Sequence, residues 1–462
     1  MTHAPALPRV MTLRDVVLFN ITAIVGLRHL QTASQFGTAS ILLWLLAMAV
    51  FFLPSAAAVR ELVAIDPRTG GIYRWAHAAF GARQGFLAGW SYWVSNLVYF
   101  PALLVSTAAI AAYAGGSGTV HLAESSLFVG VVSLACLWFA LGMNLVGLRV
   151  GKWLPNAGAY GTWIPAAILL LLAAWALATH GSATEFTAGR LLPERFNYEL
   201  VNFFATITFA FAGLELAPTM GDEIRDPAVT LRRGVLLSGV VIVSIYILGS
   251  VAMLVALPAE QVSVTNGVAQ VVAVLSERLG FAWLLPAAAL VAVLIALGNV
   301  GGVGAWLAGS ARLPFAAGID RALPPAFSKV HPRWQTPHVA LLTQGGIATA
   351  FVLVGLAGAT VRDAYVALQS ATVILYFVPY LYLFAAYLRL RRARTWRTAV
   401  TGWAGFGAVV FSIGVSLIPP GVESRWAFEL KVVGGVAVFL VVGWWLARRG
   451  VRETTAFGAG TA

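Results

Sequence analysis

Arg28 and His29 stand inside "FNITAIVGLRHLQTAS" (residues 19–34), a stretch otherwise apolar enough to cross a membrane. An arginine at bilayer depth costs about 2.5–3.5 kcal/mol on insertion scales, so it has to face a partner, a cavity or water. A second intramembrane charge, Glu215, lies in "FAFAGLELAPTMGDEIRDP" (209–227), with Asp222 and Glu223 at the polar end of that stretch. Breaking a helix at such places frees backbone groups that can replace a solute's water: N–H groups for an anion, carbonyls for a cation. The first break is expected over Ile24, Val25, Gly26, Leu27 and Arg28, and the second over Phe209, Ala210, Phe211, Ala212 and Gly213. Gly26 and Gly213 can supply permissive backbone, although an isolated glycine in a membrane helix reads first as a packing site. Glu215 reads either as a proton-sensitive group, as a brace for its broken helix, or as a structural carboxyl. Asp222 and Glu223 read as gating groups for loop arginines or as a solvated helix end, and His29 as a titrating or a structural group.

The elements that must hold these residues are membrane spans. Apolar and aromatic residues make up 60% of the 462 residues and charged ones only 10%, with a mean hydropathy of +0.84, a balance that excludes an ordinary water-soluble domain. Apolar runs separated by polar breaks predict twelve spans, near 16–35, 38–63, 85–113, 126–147, 154–179, 199–219, 231–256, 281–310, 338–357, 363–388, 399–418 and 428–447. With the amino terminus in the cytoplasm, 23 of the 30 Lys and Arg residues fall on the inner side, which places both termini inside. The net charge of +12 therefore reflects sidedness and does not point to nucleic acid. The cluster "RLRRARTWR" (389–397) is placed to touch anionic lipid head groups. The opening "MTHAPALPRV" lacks a signal-peptide core and is expected to be retained. The single cysteine, Cys136, excludes a disulfide within the chain.

Two short amphipathic pieces, "GGIYRWAHAAFG" (70–81) and "GVAQVVAVLSERLG" (267–280), follow the second and seventh spans. Five spans separate them, so they should lie on opposite faces, as in two inverted five-helix halves followed by two more helices. Three stretches then resemble the amino acid-polyamine-organocation family. "RELVAIDPRTGGIYRWAHAAFGARQGFLAGWSYW" carries a Glu, Pro, Gly-Gly, Tyr and Gly-Trp pattern at Glu61, Pro67, Gly70, Gly71, Tyr73, Gly89 and Trp90. "FAFAGLELAPTMGDEIRDP" resembles the sixth-helix pattern, and "GSARLPFAAGIDRALPPAFSKVHPRWQTP" (309–337) the loop after the eighth helix. "VGLRHL" and "FFLP" resemble the glutamate/GABA antiporter branch.

The resemblance implies an all-α integral membrane protein with twelve transmembrane helices and an inverted five-plus-five repeat with broken first and sixth helices, plus two extra helices. One transporter domain covers 1–462, with repeats at 1–197 and 198–390 and the last two helices and tail at 391–462. It implies a secondary active, alternating-access transporter of neutral or acidic amino acids in the cell membrane, working as an exchanger or coupled to protons. The amine or polyamine transporter and the non-transporting sensor are the alternatives. Two departures matter. "GLRHL" puts Leu27 and Arg28 where the family usually keeps small residues. Thr162 falls where some proton-coupled relatives carry lysine, and near Asn299 there is no Ser or Thr pair to add oxygen ligands for sodium. The binding candidates are thus the two breaks, and the coupling or gating candidates are Glu215, Asp222, Glu223, Thr162 and Asn299. Asn20, Asn96 and Gln369 either line the cavity or bond neighbouring helices, and "YFVPYLYLFAAY" (376–387) reads as packing and an interface belt. The seven histidines are scattered and no hydrolase or metal motif is present, so no enzyme, cofactor or metal is expected. The expected partners are the bilayer and a small amino acid; oligomeric state is left open.

Overall fold

The computed structural model describes residues 7–193, 196–263, 267–280, 285–320, 322–356, 361–417, 433–434 and 436–448. Arg195, Arg321, Arg425, Lys431, Arg449 and Arg452, on which the sidedness count also drew, lie outside the described residues, as do residues 428–432 of the twelfth expected span. The described chain is helical, and its one β pairing is an isolated parallel bridge between Met11 and Ile224. The first half holds α1 (Leu13–Ile24), α2 (Arg28–Ser34), α3 (Ala39–Ala47), α4 (Leu53–Ile65), α5 (Ile72–Phe80), α6 (Ala82–Ala112), α7 (Ser126–Leu145), α8 (Leu148–Gly151) and α9 (Trp153–His180). The second holds α10 (Tyr198–Ala210), α11 (Pro227–Ala256), α12 (Gly267–Arg278), α13 (Leu285–Ile319), α14 (His338–Leu356), α15 (Val361–Leu390) and α16 (Trp396–Ser416). A last apolar helix, α17, covers Val436–Arg448.

Local chemistry explains many of the boundaries. Thr12 and Asp15 form a reciprocal capping box that starts α1. Ser125, Asn197 and Thr395 cap α7, α10 and α16 with side-chain oxygens. Pro227 opens α11, where its missing N–H costs nothing. Met48–Phe52 forms a π turn that joins α3 to α4 as one apolar span. Among the described residues eight helical segments are long and apolar enough to cross a membrane, or nine with α1 and α2 counted as one bent span. The expected count of twelve is therefore not reached on these criteria: α10 is cut to 13 residues by the break after Ala210, and α14 and α17 offer shorter apolar stretches.

The long helices α6, α13 and α15 run through the centre, with α1 and α9 against α13 and α16 outside α15. The α9–α13 seam is made of glycines. A Cβ on Gly301 would lie 2.6 Å from the Gly158 Cα, and one on Gly161 2.5 Å from the Leu294 carbonyl. Lipid offers no hydrophobic drive between helices, so this close backbone approach is what joins them. α5, bounded by Gly71 and Gly81, is the first amphipathic piece, and α12 is the second.

Candidate functional site

The first break lies between α1 and α2, which meet at 45°. Val25 is extended there (φ −74, ψ 104). Gly26 does not take a left-handed φ; what its missing side chain gives there is room. A Cβ at Gly26 would stand 2.8 Å from Arg28 Nη1. In the second break α10 stops at Ala210, and a 3-10 turn resumes at Ala217–Glu223. Gly213 has φ +133, a conformation that L side chains rarely adopt, and a Cβ there would meet Ile24 Cγ1 at 2.7 Å. The two breaks therefore touch each other.

Neighbouring side chains satisfy the backbone groups that the breaks release. The Trp306 indole donates to Ala23 O at 2.9 Å. The Tyr246 hydroxyl accepts from Gly26 N at 3.1 Å and lies 2.8 Å from Ile24 O. On the second break Gly213 N donates to Tyr380 Oη at 2.8 Å and to Glu215 Oε2 at 3.2 Å. Glu215 is fully buried and also accepts from the hydroxyls of Tyr92, at 2.8 Å, Tyr376 and Tyr380. Its bonding capacity goes to three tyrosines and a backbone amide, and none of it to Arg28. Tyr376 and Tyr380 belong to the aromatic run expected as packing and an interface belt. Both are almost fully buried, and their i, i+4 spacing, which sets them on one helix face, is the signal that could have found them.

Between the breaks is a small central cavity lined by Ala23, Ile24, Arg28, His29, Tyr99, Phe209, Ala210, Ala212, Trp306 and Tyr376. About 20 Å³ of it is open to the centre of a water molecule, space for one or two waters. Tyr99, Phe209, Trp306 and Tyr376 form a ring of faces and edges, with adjacent centroids 5.5–6.3 Å apart. Arg28 Nη2 donates to the Tyr99 hydroxyl at a long 3.4 Å. Of the ten expected binding residues, Ile24, Arg28, Phe209, Ala210 and Ala212 line this cavity. Leu27 lines a neighbouring one that Arg28 shares. Val25 and Phe211 are packed in the core, Phe211 against Trp44 and Tyr246, while Gly26 and Gly213 give backbone bonds.

The remaining candidates lie elsewhere. Thr162 bonds Gly158 O in the α9–α13 seam, and the Asn299 amide nitrogen is buried without a hydrogen-bond partner among the described residues; neither borders the cavity. Asn20 donates to Ser238, and Asn96 to Tyr92 O, while the Gln369 side chain lies outside the described residues. At the end of the second break Glu223 pairs with Arg312 through two contacts of 2.8 Å, both side chains 1% exposed. Arg312 was expected in a loop; α13 runs on to Ile319 and carries it inside the fold. Asp222 exchanges bonds with Thr69, and Gly70 N donates to Thr219 O, so the loop before α5 is clasped to the 3-10 turn. Among the described residues no group of His, Cys, Asp and Glu is arranged to hold a metal ion.

Comparison with known proteins agrees with this architecture. An uncharacterized transporter of Legionella pneumophila is 27% identical over 96% of this chain and 97% of its own. A probable agmatine/putrescine antiporter of Lactococcus lactis is 26% identical over 77% of this chain and 74% of its own. A glutamate/gamma-aminobutyrate antiporter of the same species is 25% identical over 80% and 76%. The crystal structure of MhsT in complex with L-phenylalanine superposes with a TM-score of 0.62, covering 87% of this chain and 97% of that one at 14% identity; this likeness concerns the fold. The family model described as amino acid permease matches residues 11–442. This multi-pass membrane chain therefore belongs to the amino acid permease family, a family of transporters and not of enzymes.

Proposed function

We propose that the protein exchanges neutral or acidic amino acids across the cell membrane by alternating access. The observation that carries this reading is the position of Arg28. Its guanidinium stands where the two breaks meet, on the wall of a cavity otherwise built of rings and backbone. A planar fork of donors suits a carboxylate better than a point charge does, and a fixed cation repels arginine, lysine and polyamines. Glu215, enclosed by three tyrosines, braces the second break and leaves no carboxylate on the cavity wall to attract a polyamine. The free space is far smaller than an amino acid, so binding requires the four rings to part, which is the motion an alternating-access cycle needs. Glu223, Arg312, Asp222 and Thr69 close the side opposite Arg28 in this reading.

The twelve-span, inverted-repeat arrangement over 1–197, 198–390 and 391–462, with both termini cytoplasmic, is part of the proposal. It is supported by the sidedness of the basic residues, Arg312 apart, which α13 carries inside the fold. A second reading, exchange of an amine or polyamine, draws on the four-ring wall, because ring faces attract cations. One experiment separates the two. Purified protein in proteoliposomes is loaded with L-glutamate, L-alanine, 4-aminobutanoate or putrescine and tested for counterflow of each radiolabelled compound. Exchange of alanine or glutamate that weakens at least about tenfold in Arg28→Gln is expected, since a charge-assisted bond contributes about 1.5–3 kcal/mol. Preferred exchange of putrescine would overturn the assignment, and a lack of all counterflow would favour a sensor.

A further inference from the structure

A groove of about 750 Å³ runs along the outside of α15, between it, the turn from α5 to α6, and α16. It shares no residue with the central cavity, and its volume falls in the range of about 300–1,000 Å³ usual for sites that take small organic ligands. On α15 its wall is the stripe Val378, Leu381, Tyr382, Ala385 and Arg389, whose helical spacing puts them on one face. Pro379, Tyr380, Leu383 and Phe384, between them in sequence, are buried in the protein, so the stripe is the face that α15 turns outward, away from Tyr380 and Glu215. Thr372–Leu390 is long and apolar enough to cross a membrane, which sets this face against lipid. At about 1.5 Å per residue the stripe is about 16 Å long, close to the share of one leaflet in a hydrocarbon core of about 30 Å.

The groove is apolar along its length and positive at one end. Val378, Leu381 and Ala385 line it, and Phe406 adds a ring from α16. At the end of the stripe the exposed Arg389 guanidinium stands 5.4 Å from the centre of the Phe80 ring, and among the described residues it forms no ion pair. The cations beside it are committed to the protein, Arg391 to Leu388 O and Arg392 to Ala64 O. Gly81 opens α6 there with no side chain to cap it, so the amides of that first turn are left for an acceptor, at the positive end of a 31-residue helix. Gly81 and Gln84 both border the groove, and Tyr382 donates to Gln84 Oε1 at 2.7 Å, which ties the turn to the stripe.

We propose that this groove binds one anionic phospholipid, its phosphate held by Arg389 and the first turn of α6 and one acyl chain laid along Leu381, Ala385 and Phe406. A free phosphate would leave the apolar length unused, and a neutral lipid would leave the charge unmatched. The proposal needs no assignment of the transported solute; only the choice of the inner leaflet rests on the topology proposed above.

Native mass spectrometry of the purified full chain in detergent reads the site, with phosphatidylglycerol and phosphatidylcholine of the same acyl chains as titrants. Wild-type protein should bind one phosphatidylglycerol at least about tenfold more tightly than phosphatidylcholine, whose ammonium cancels the phosphate charge. Arg389→Gln should remove about fivefold of that preference, and Arg397→Gln, a cation of the same cluster that lies over Trp396, less than about twofold. Ala385→Trp fills the apolar length and should weaken both lipids at least about threefold. Equal affinity of wild-type protein for the two lipids overturns the proposal and leaves the groove to a neutral lipid or a protein segment. Equal losses in Arg389→Gln and Arg397→Gln overturn it in favour of diffuse surface charge, and unchanged binding in Ala385→Trp, or full displacement of the lipid by inorganic phosphate, removes the acyl chain from the groove. Should Arg389→Gln fail to purify, the wild-type preference and Ala385→Trp decide the matter.

Discussion

The two helix breaks use charge in opposite ways. The first has a cation, Arg28, and leaves it on the cavity wall, while neutral donors, Trp306 and Tyr246, look after its carbonyls. The second has a carboxylate, Glu215, and turns it inward to take bonds from Tyr92, Tyr376, Tyr380 and Gly213 N. Their outer anchors differ as well. α1 starts on Asp15, which accepts from Lys152, Asn156 and Thr12 near the surface, whereas the second segment ends on the fully buried pair of Glu223 and Arg312. The contrast separates two functions that an intramembrane charge can serve. A charge whose bonds are used up inside the protein fixes shape, and a charge on a cavity wall is placed to meet a ligand.

The largest effect expected from this contrast is at the buried anchor. Arg312→Ala leaves Glu223 buried without its partner and should cost about 3–5 kcal/mol of folding stability. Lys152→Ala should cost under about 2 kcal/mol, because Asp15 keeps its bonds from Thr12 and Asn156. Denaturant titration of the two proteins compares them, and equal losses would erase the distinction between the anchors. Next comes Glu215→Gln. An amide offers one acceptor oxygen to three tyrosine hydroxyls, so about 1–3 kcal/mol is at stake; membrane insertion should persist while counterflow slows or changes its pH dependence. A wild-type rate and pH profile would remove Glu215 from the working parts of the site.

Arg28→Gln is expected to act on binding: affinity for a carboxylate substrate should fall at least about tenfold, or about 1.4 kcal/mol. Arg28→Lys should fall between the two, since a point charge replaces a fork. Wild-type affinity in Arg28→Gln would place both breaks in the structural class. The smallest effect concerns the loop clasped to the second segment. Burial pushes the Asp66 carboxyl up, but hydrogen bonds from Arg68 and Arg74 outweigh it and hold the group below its ordinary value. Because the folded form is the more acidic one, this contribution is present above about pH 4 and is lost as pH falls through the folded value. The melting temperature of Asp66→Asn should thus lie slightly below wild type at pH 7 and approach it in acid. A difference that grows in acid would contradict the sign.

Much of the architecture was readable before any coordinates. Apolar runs long enough to cross a bilayer mark the spans, and the expected 38–63, 85–113 and 154–179 correspond to helical segments at Ala39–Ile65, Ala82–Ala112 and Trp153–His180. The amphipathic pieces at 70–81 and 267–280 likewise coincide with α5 and α12. Both breaks were placed by the family resemblance, which overrides the packing reading of Gly26 and Gly213; the charges beside them, Arg28 and Glu215, agree with it, because lipid penalises a charge enough to leave a mark in local composition. The residues read alone thus establish the membrane setting and the elements, and the family resemblance adds the places where helix is interrupted.

Which groups meet depends on the packed fold. Tyr246 is more than two hundred residues from Gly26 along the chain, yet their contact is one hydrogen bond. Arg312 read as a loop cation and is an internal partner of Glu223. Tyr376 and Tyr380 read as packing and interface-belt aromatics and donate to Glu215. A tyrosine or arginine in an apolar run has the same sequence signature whether it faces lipid, a neighbouring helix or a cavity. The rotation of each helix against its neighbours makes that choice, and it is set by packing among segments far apart in sequence.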